Sequence, residues 1–125
     1  MIFPFKLRPK LRTLMRHADQ ARDRRDWAQA ALGYRAAINH IPDRPAIWVQ
    51  YGHALKESGY LHDAELAYRR AIALNSTDAD SFIQLGHALK LAERREEARE
   101  AYKQAYRLDP SLAQTVVDPS YLDHG

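Results

Sequence analysis

One feature constrains this chain more than any other: residues 45 to 78, PAIWVQYGHALKESGYLHDAELAYRRAIALNSTD, are repeated on either side without a gap. A forward step of 34 residues carries Trp48, Tyr51, Gly52, Ala64, Tyr68 and Ala71 onto Phe82, Leu85, Gly86, Ala98, Tyr102 and Ala105. The same step backwards carries Gly52, Ala64, Tyr68 and Ala71 onto Ala18, Ala30, Tyr34 and Ala37. A strict period of this length means an array of small units, each burying its apolar face against a neighbour. Three such units take up most of the 125 residues, which leaves room for one domain and little more.

Local signals divide each unit into two helices. The first helix is expected from Pro9 or Lys10 to Arg24, since Pro is tolerated in a first turn. The second runs from Trp27 to about His40, carrying Ala30, Leu32, Tyr34, Ala37 and Ile38, and stops at Ile41-Pro42. The third, about Arg44 to Glu57, starts near Pro45, and Ser58-Gly59 makes the following corner. The fourth spans Leu61 to Leu74, with Asn75 as its stop. Ser76, Thr77 and Asp78 offer caps for the fifth, which ends near Ala92. The sixth runs from about Arg95 to Leu108 and is stopped by Asp109-Pro110-Ser111. The corner Arg24-Arg25-Asp26 lacks the Gly that a tight turn favours, so strain is expected there. Gly52, Gly86 and Ala18 are expected to bring the helices of a unit close together, facing Ala64, Ala98 and Ala30. Tyr34, Tyr68 and Tyr102 are expected to fill the grooves between units.

The pattern resembles the tetratricopeptide repeat, whose signature is W-x2-L-G-x2-Y, then A-x3-F, then P. It runs here as Trp48-x2-Tyr51-Gly52 and Phe82-x2-Leu85-Gly86, followed by Ala30-x3-Tyr34, Ala64-x3-Tyr68 and Ala98-x3-Tyr102, with Pro42 and Pro110 closing two units. The resemblance covers Leu11 to Leu112. It implies an all-α, right-handed solenoid of three helix–turn–helix repeats over 11–44, 45–78 and 79–112, an N-terminal arm over 1–10 and a short C-terminal cap or tail over 113–125. Departures are concentrated in the first unit, where His17 and Ala21 replace the family's Leu and Tyr. They suit a terminal repeat, which has a neighbour on one side only.

Bulk composition narrows the function. Hydrophobic content of 46% and charged content of 28% describe an ordinary globular chain. A formal charge of +3 falls short of a dedicated nucleic-acid binder, and acidic residues interleave with Arg12, Arg16, Arg22, Arg69 and Arg70; no nucleic-acid partner is expected. Cysteine is absent, which removes disulfides and thiolate metal sites and fits a cytoplasmic location. No phosphate-binding Gly loop, H-E-x-x-H or nucleophile elbow occurs, so neither enzymatic activity nor a cofactor is expected. Glu96, Glu97 and Glu100 sit among Arg94, Arg95, Arg99 and Lys103, which reads as a helix surface laced with ion pairs.

Function is carried by the site and not by the fold. In the family the first helix of each unit lines a concave face, and that resemblance places Arg12, Met15, Arg16, Asp19, Arg22 and Asp23 of the first unit on it. Ala46, Val49, Gln50, His53, Lys56 and Glu57 follow from the second, and Asp80, Ile83, Gln84, His87, Lys90 and Leu91 from the third. Gln50/Gln84, His53/His87 and Lys56/Lys90 therefore recur at matching heights. With Arg12 and Arg16, which favour an acidic ligand, they form the candidate peptide-binding set. The family's carboxylate clamp for a peptide C-terminus does not match. Met15 and Asp19 stand where Lys and Asn belong, Gln50 and Gln84 replace Asn and Arg, and Asp80 replaces a Lys. The amide ladder of the O-linked N-acetylglucosamine transferase superhelix is a nearer resemblance, with Gln in place of Asn and Arg16 breaking the series. A pair of solvated surface glutamines is the equal alternative. No metal site is expected: His53 and His87 lie on helices ~8–10 Å apart with no third ligand, His17 lies at a core position and His40 at a helix end.

The expected function is protein–protein interaction through the concave groove. The alternative is a self-assembly or targeting region serving a bacterial glycosyltransferase-type enzyme, an analogy drawn from the repeated Gly-His-Ala-Leu-Lys string at Gly52–Lys56 and Gly86–Lys90. Ile2, Phe3, Phe5 and Leu7 of the arm could dock on a membrane surface or another subunit and make a homo-oligomer. Pro119 falls where a fourth unit would need a core residue, so the tail is expected to form at most a two-turn cap over Ser111 to Val117, with Tyr121 and the residues after it trailing off.

Overall fold

In the computed structural model, which describes residues 10–114 and Tyr121, the period becomes six antiparallel helices. They are α1 (Leu11–Asp23), α2 (Trp27–His40), α3 (Pro45–Glu57), α4 (Leu61–Leu74), α5 (Ala79–Leu91) and α6 (Arg95–Leu108), followed by a 3-10 turn over Pro110–Gln114. Each helix packs chiefly on the next in sequence, with a smaller contact between α3 and α5. The arrangement is an all-α solenoid. The arm residues Ile2, Phe3, Phe5 and Leu7, together with Val116, Pro119 and Leu122, lie outside the described residues.

The helix ends follow local chemistry. Asp26 caps α2 by accepting from the Gln29 N–H, and Asp78 caps α5 by accepting from the Asp80 N–H and the Ser81 hydroxyl. Ile41, Asn75 and Asp109 stand at equivalent positions and end α2, α4 and α6, Asn75 and Asp109 in extended conformation. The Trp48 indole N–H donates to the Pro42 carbonyl at 2.7 Å, tying the start of the second unit to the end of the first.

All three corners use one device. Arg25, Gly59 and Glu93 have φ of 61°, 89° and 62°. The N–H groups of Asp26, Tyr60 and Arg94 reach back to the carbonyls of Ala21, Leu55 and Leu89, a Schellman closure. Only the middle corner has the glycine that this conformation favours, so the strain expected at Arg25 is real and recurs at Glu93. Replacing either residue by Gly is expected to raise stability by about 0.5–1 kcal/mol, because a Cβ crowds the backbone at positive φ. A lower urea midpoint for Glu93→Gly would contradict that account.

The core is built from alanines and tyrosines. Tyr34, Tyr68 and Tyr102 are buried, as are Ala30, Ala64 and Ala98. Ala31, Trp48 and Tyr51 pack against both halves of the core and join the first unit to the rest. At the glycines the space for a side chain is taken by aromatic rings: the three atoms nearest a Cβ built on Gly52 or Gly86 belong to Tyr68 and Tyr102. A Cβ on either glycine would fall 2.7 and 2.6 Å from those rings. In the first unit Ala18 stands at this position, and a Cβ on Gly33 would lie 2.7 Å from its methyl. Units two and three carry the reverse pairs, Gly52 with Ala67 and Gly86 with Ala101, so each unit places one methyl group across these two positions.

On α2, Leu32 is 64% exposed. Two expectations are corrected. His17 is exposed and not in the core, since among the described residues no earlier helix pair covers it. Tyr121 does not trail away: it is buried against Tyr102, its ring centroid 5.4 Å away, with Lys90 and Arg95 over its face.

Candidate functional site: a polar cleft between the first helices of the repeats

Regular helices put every third or fourth residue on one face, so α1, α3 and α5 present their repeat-equivalent side chains side by side. Between them lies a cleft of about 330 Å³ lined by Arg22, Val49, Gln50, His53, Asp80 and Gln84. Of the candidate residues, the structure gathers Gln50, His53 and Gln84 there. Arg22 and Asp80, left out of that set, complete it.

Arg22 is the organising side chain. Its guanidinium donates to Gln50 Oε1 at 3.3 Å, to Tyr34 Oη at 3.4 Å and to Asp19 Oδ1 at 3.4 Å, and it pairs with Asp23 at 3.0 Å. Burial opposes its charge, yet the carboxylates of Asp23 and Asp19 leave its pKa above the ordinary arginine value. Sequence reasoning placed Arg22 on the inner face but could not foresee its reach from α1 to α3. The only signal was a guanidinium where later units carry Lys56 and Lys90.

The two glutamines are oriented oppositely. Guanidinium only donates, so Gln50 must meet Arg22 with its carbonyl, which leaves its amide N–H groups for another acceptor. Carboxylate only accepts, so Gln84 meets Asp80 with its amide nitrogen, at 3.4 Å, and keeps its carbonyl as an acceptor. The cleft thus offers a donor and an acceptor one repeat apart.

The histidines are engaged by aromatic rings. His53 stands edge-on to Trp27 with centroids 5.2 Å apart. His87 Nδ1 and the Tyr102 hydroxyl are hydrogen-bonded at 2.7 Å. Burial first, and then the Lys56 ammonium, holds both imidazoles below their ordinary pKa, with Lys90 adding to the effect at His87. The equivalent pair in the first unit is Tyr34 donating to Asp19 at 2.6 Å. In the middle unit no such bond forms: among the described residues the buried Tyr68 hydroxyl has no hydrogen-bond partner.

The remaining candidates lie elsewhere. Lys56 has a side chain only 10% exposed and sits 3.8 Å from Glu57. Lys90 lies over Tyr121 at the last unit's edge. Arg12 and Arg16 are exposed on α1 and do not line the cleft. Among the described residues, no cluster of three or more His, Cys, Asp or Glu could hold a metal ion, and no helix is long and apolar enough to cross a membrane.

Fold and cleft together define a helix-pair repeat solenoid with a polar inner face. Two tetratricopeptide repeat family models match the chain, one over residues 45–78 and one over 79–112, together more than half of its length. The chain belongs to the tetratricopeptide repeat family. No curated protein matches its sequence. Among solved structures it is similar to the Arabidopsis OM64 TPR domain, with TM-score 0.77 and 19% identity over 81% of this chain and 84% of that one. It is similar to the first TPR of Spaghetti (RPAP3) bound to the HSP90 peptide SRMEEVD, with TM-score 0.77 and 21% identity over 81% of this chain and 80% of that one. It also resembles the TPR2B domain of yeast Sti1 in a pHsp70 complex, with TM-score 0.77 and 15% identity over 89% of each chain.

Proposed function

We propose that this protein is an interaction module that holds an extended peptide segment of a partner along the face shared by α1, α3 and α5. The opposed orientation of Gln50 and Gln84 carries this reading. An extended strand offers unpaired N–H and C=O groups that need partners, and one amide in the cleft is left as a donor and the other as an acceptor. The HSP90 peptide complex of the Spaghetti domain and the pHsp70 complex of the Sti1 domain give the reading a precedent on the same fold. A C-terminal carboxylate is not the expected handle, since Met15, Asp19 and Asp80 put no cation at the clamp positions. Arg12 and Arg16 supply positive charge on α1 for an acidic residue, while Asp80 on α5 is acidic.

The alternative of an assembly or targeting region beside a glycosyltransferase-type enzyme rested on the repeated Gly-His-Ala-Leu-Lys string. Packing accounts for most of that string: Gly52 and Gly86 lie under tyrosine rings, and Ala54, Leu55, Ala88 and Leu89 are buried.

A peptide selected from a display library for binding to the wild-type protein supplies the probe. Gln50→Ala and Gln84→Ala are each expected to weaken its binding about 10-fold in fluorescence anisotropy, the loss of one hydrogen bond. Unchanged affinity in both variants would remove the glutamines from the site. Binding that depended on a free peptide C-terminus would replace main-chain recognition with a clamp.

A further inference from the structure

A second periodic feature lies on the side where α2, α4 and α6 expose the equivalent residues Leu32, Leu66 and Glu100. Two grooves, of about 540 and 410 Å³, sit one repeat apart. The first has Trp48, Tyr51 and Leu55 as its floor, with Arg35 and Arg70 at its edges. The second has Phe82, Leu85 and Leu89 at the same positions, edged by Glu96, Glu97 and Glu100.

The floors match but the charges are opposite. Asp63 is the lone acid of the first groove and Arg69 the lone base of the second, so the first is net positive and the second net negative. Among the described residues Arg35, Arg70 and Glu100 have no ion-pair partner, and Glu96, paired with Arg99, is 81% exposed. Leu32 and Leu66 stay 64% and 53% exposed beside the positive groove, an apolar surface that a partner would cover.

We propose that this face is an interface between two copies of the chain related by a two-fold axis. The Arg35–Arg70 groove of each copy receives the Glu96–Glu100 edge of the other. An unrelated partner would have to bring both signs at the spacing of one repeat, whereas a second copy carries them at that spacing already. The contact is isologous, so each charge match is made twice. The floors and leucines supply the buried area, of which a stable dimer needs about 800 Å² per partner. The charges fix the register.

The test is a charge swap read by light scattering from micromolar to near-millimolar concentration. One variant carries Arg35→Glu with Arg70→Glu, the other Glu96→Lys with Glu100→Lys. All four positions are exposed and lie outside the inner cleft, and circular dichroism checks that both variants fold. The wild type is expected to dimerise. Each variant alone should have its dissociation constant raised at least about 100-fold, and an equimolar mixture should recover to within about 10-fold of wild type, because each groove then meets the opposite sign again. A wild type that stays monomeric, variants that dimerise as it does, or a mixture that stays monomeric would each overturn the proposal. Peptide affinity at Gln50 and Gln84 is read separately, so failure of the one reading is distinguishable from failure of the other.

Discussion

Replacing Tyr68 by alanine is expected to cost about 3–5 kcal/mol of stability, the range for truncating a large core aromatic. Tyr68 is fully buried in the middle unit, its ring rests on Gly52, and the same core contains Leu55 of its own unit and Leu85 of the next. In a solenoid, stability is close to a sum of nearest-neighbour terms, and loosening the middle unit weakens both of its interfaces. Tyr68→Phe separates ring from hydroxyl. Because the Tyr68 hydroxyl is buried without a partner among the described residues, its removal is expected to be neutral or stabilising by up to about 1 kcal/mol. Tyr102→Phe strips His87 of its bond, and Tyr34→Phe strips Asp19 of its own, so each should cost about 1–2 kcal/mol. Urea midpoints at constant slope measure all four variants. A costly Tyr68→Phe would mean that its hydroxyl is bonded in solution, and a harmless Tyr68→Ala would mean that the ring does not hold the units together.

Much of this fold was legible because it is periodic and locally punctuated. Helices α2, α4 and α6 begin and end where caps, prolines and the repeat placed them, at Trp27–His40, Leu61–Leu74 and Arg95–Leu108. What broke the period was harder to read. His17 occupies a position that is buried at Leu85 but exposed in the first repeat, where no earlier helix pair covers it among the described residues. Glu93 adopts the conformation of Gly59 with no glycine to announce it. In the candidate site, matching heights correctly aligned Gln50 with Gln84. Their opposite orientations depend on Arg22, where the later units carry Lys56 and Lys90, and on Asp80, where the second unit carries Ala46. The return of Tyr121 onto Tyr102 is a contact between segments the repeat does not relate.

The least legible contact is also the one whose loss should read most clearly against pH. Glu65 lies on α4 where the other units have Ala31 and Arg99, so the repeat does not single it out. It is 7% exposed. It accepts from Arg69 at 2.8 Å and pairs with Arg94 at the entrance to α6, which in turn holds Glu97 at 2.6 Å. The second and third units are therefore joined by a carboxylate between two guanidinium groups. Glu65→Gln is expected to cost about 2–3 kcal/mol near neutral pH, less than a fully buried pair because both arginines keep access to water. Burial alone would raise the Glu65 pKa. The hydrogen bonds from Arg94 and Arg69 outweigh it and hold the pKa below the ordinary value of 4.5. A depressed acid stabilises the fold above its unfolded pKa and loses that contribution as pH falls through its folded one. The gap between wild type and Glu65→Gln should be full at pH 6–7 and shrink as the pH drops below about 4.5. His53 and His87, with imidazoles also held low, lose stability as pH falls below about 6.5. That loss is common to both proteins and cancels in the difference. Urea midpoints of the pair across this range provide the measurement. A gap that persisted unchanged at low pH would assign the effect of Glu65 to packing, and the joint between the units would then owe nothing to its charge.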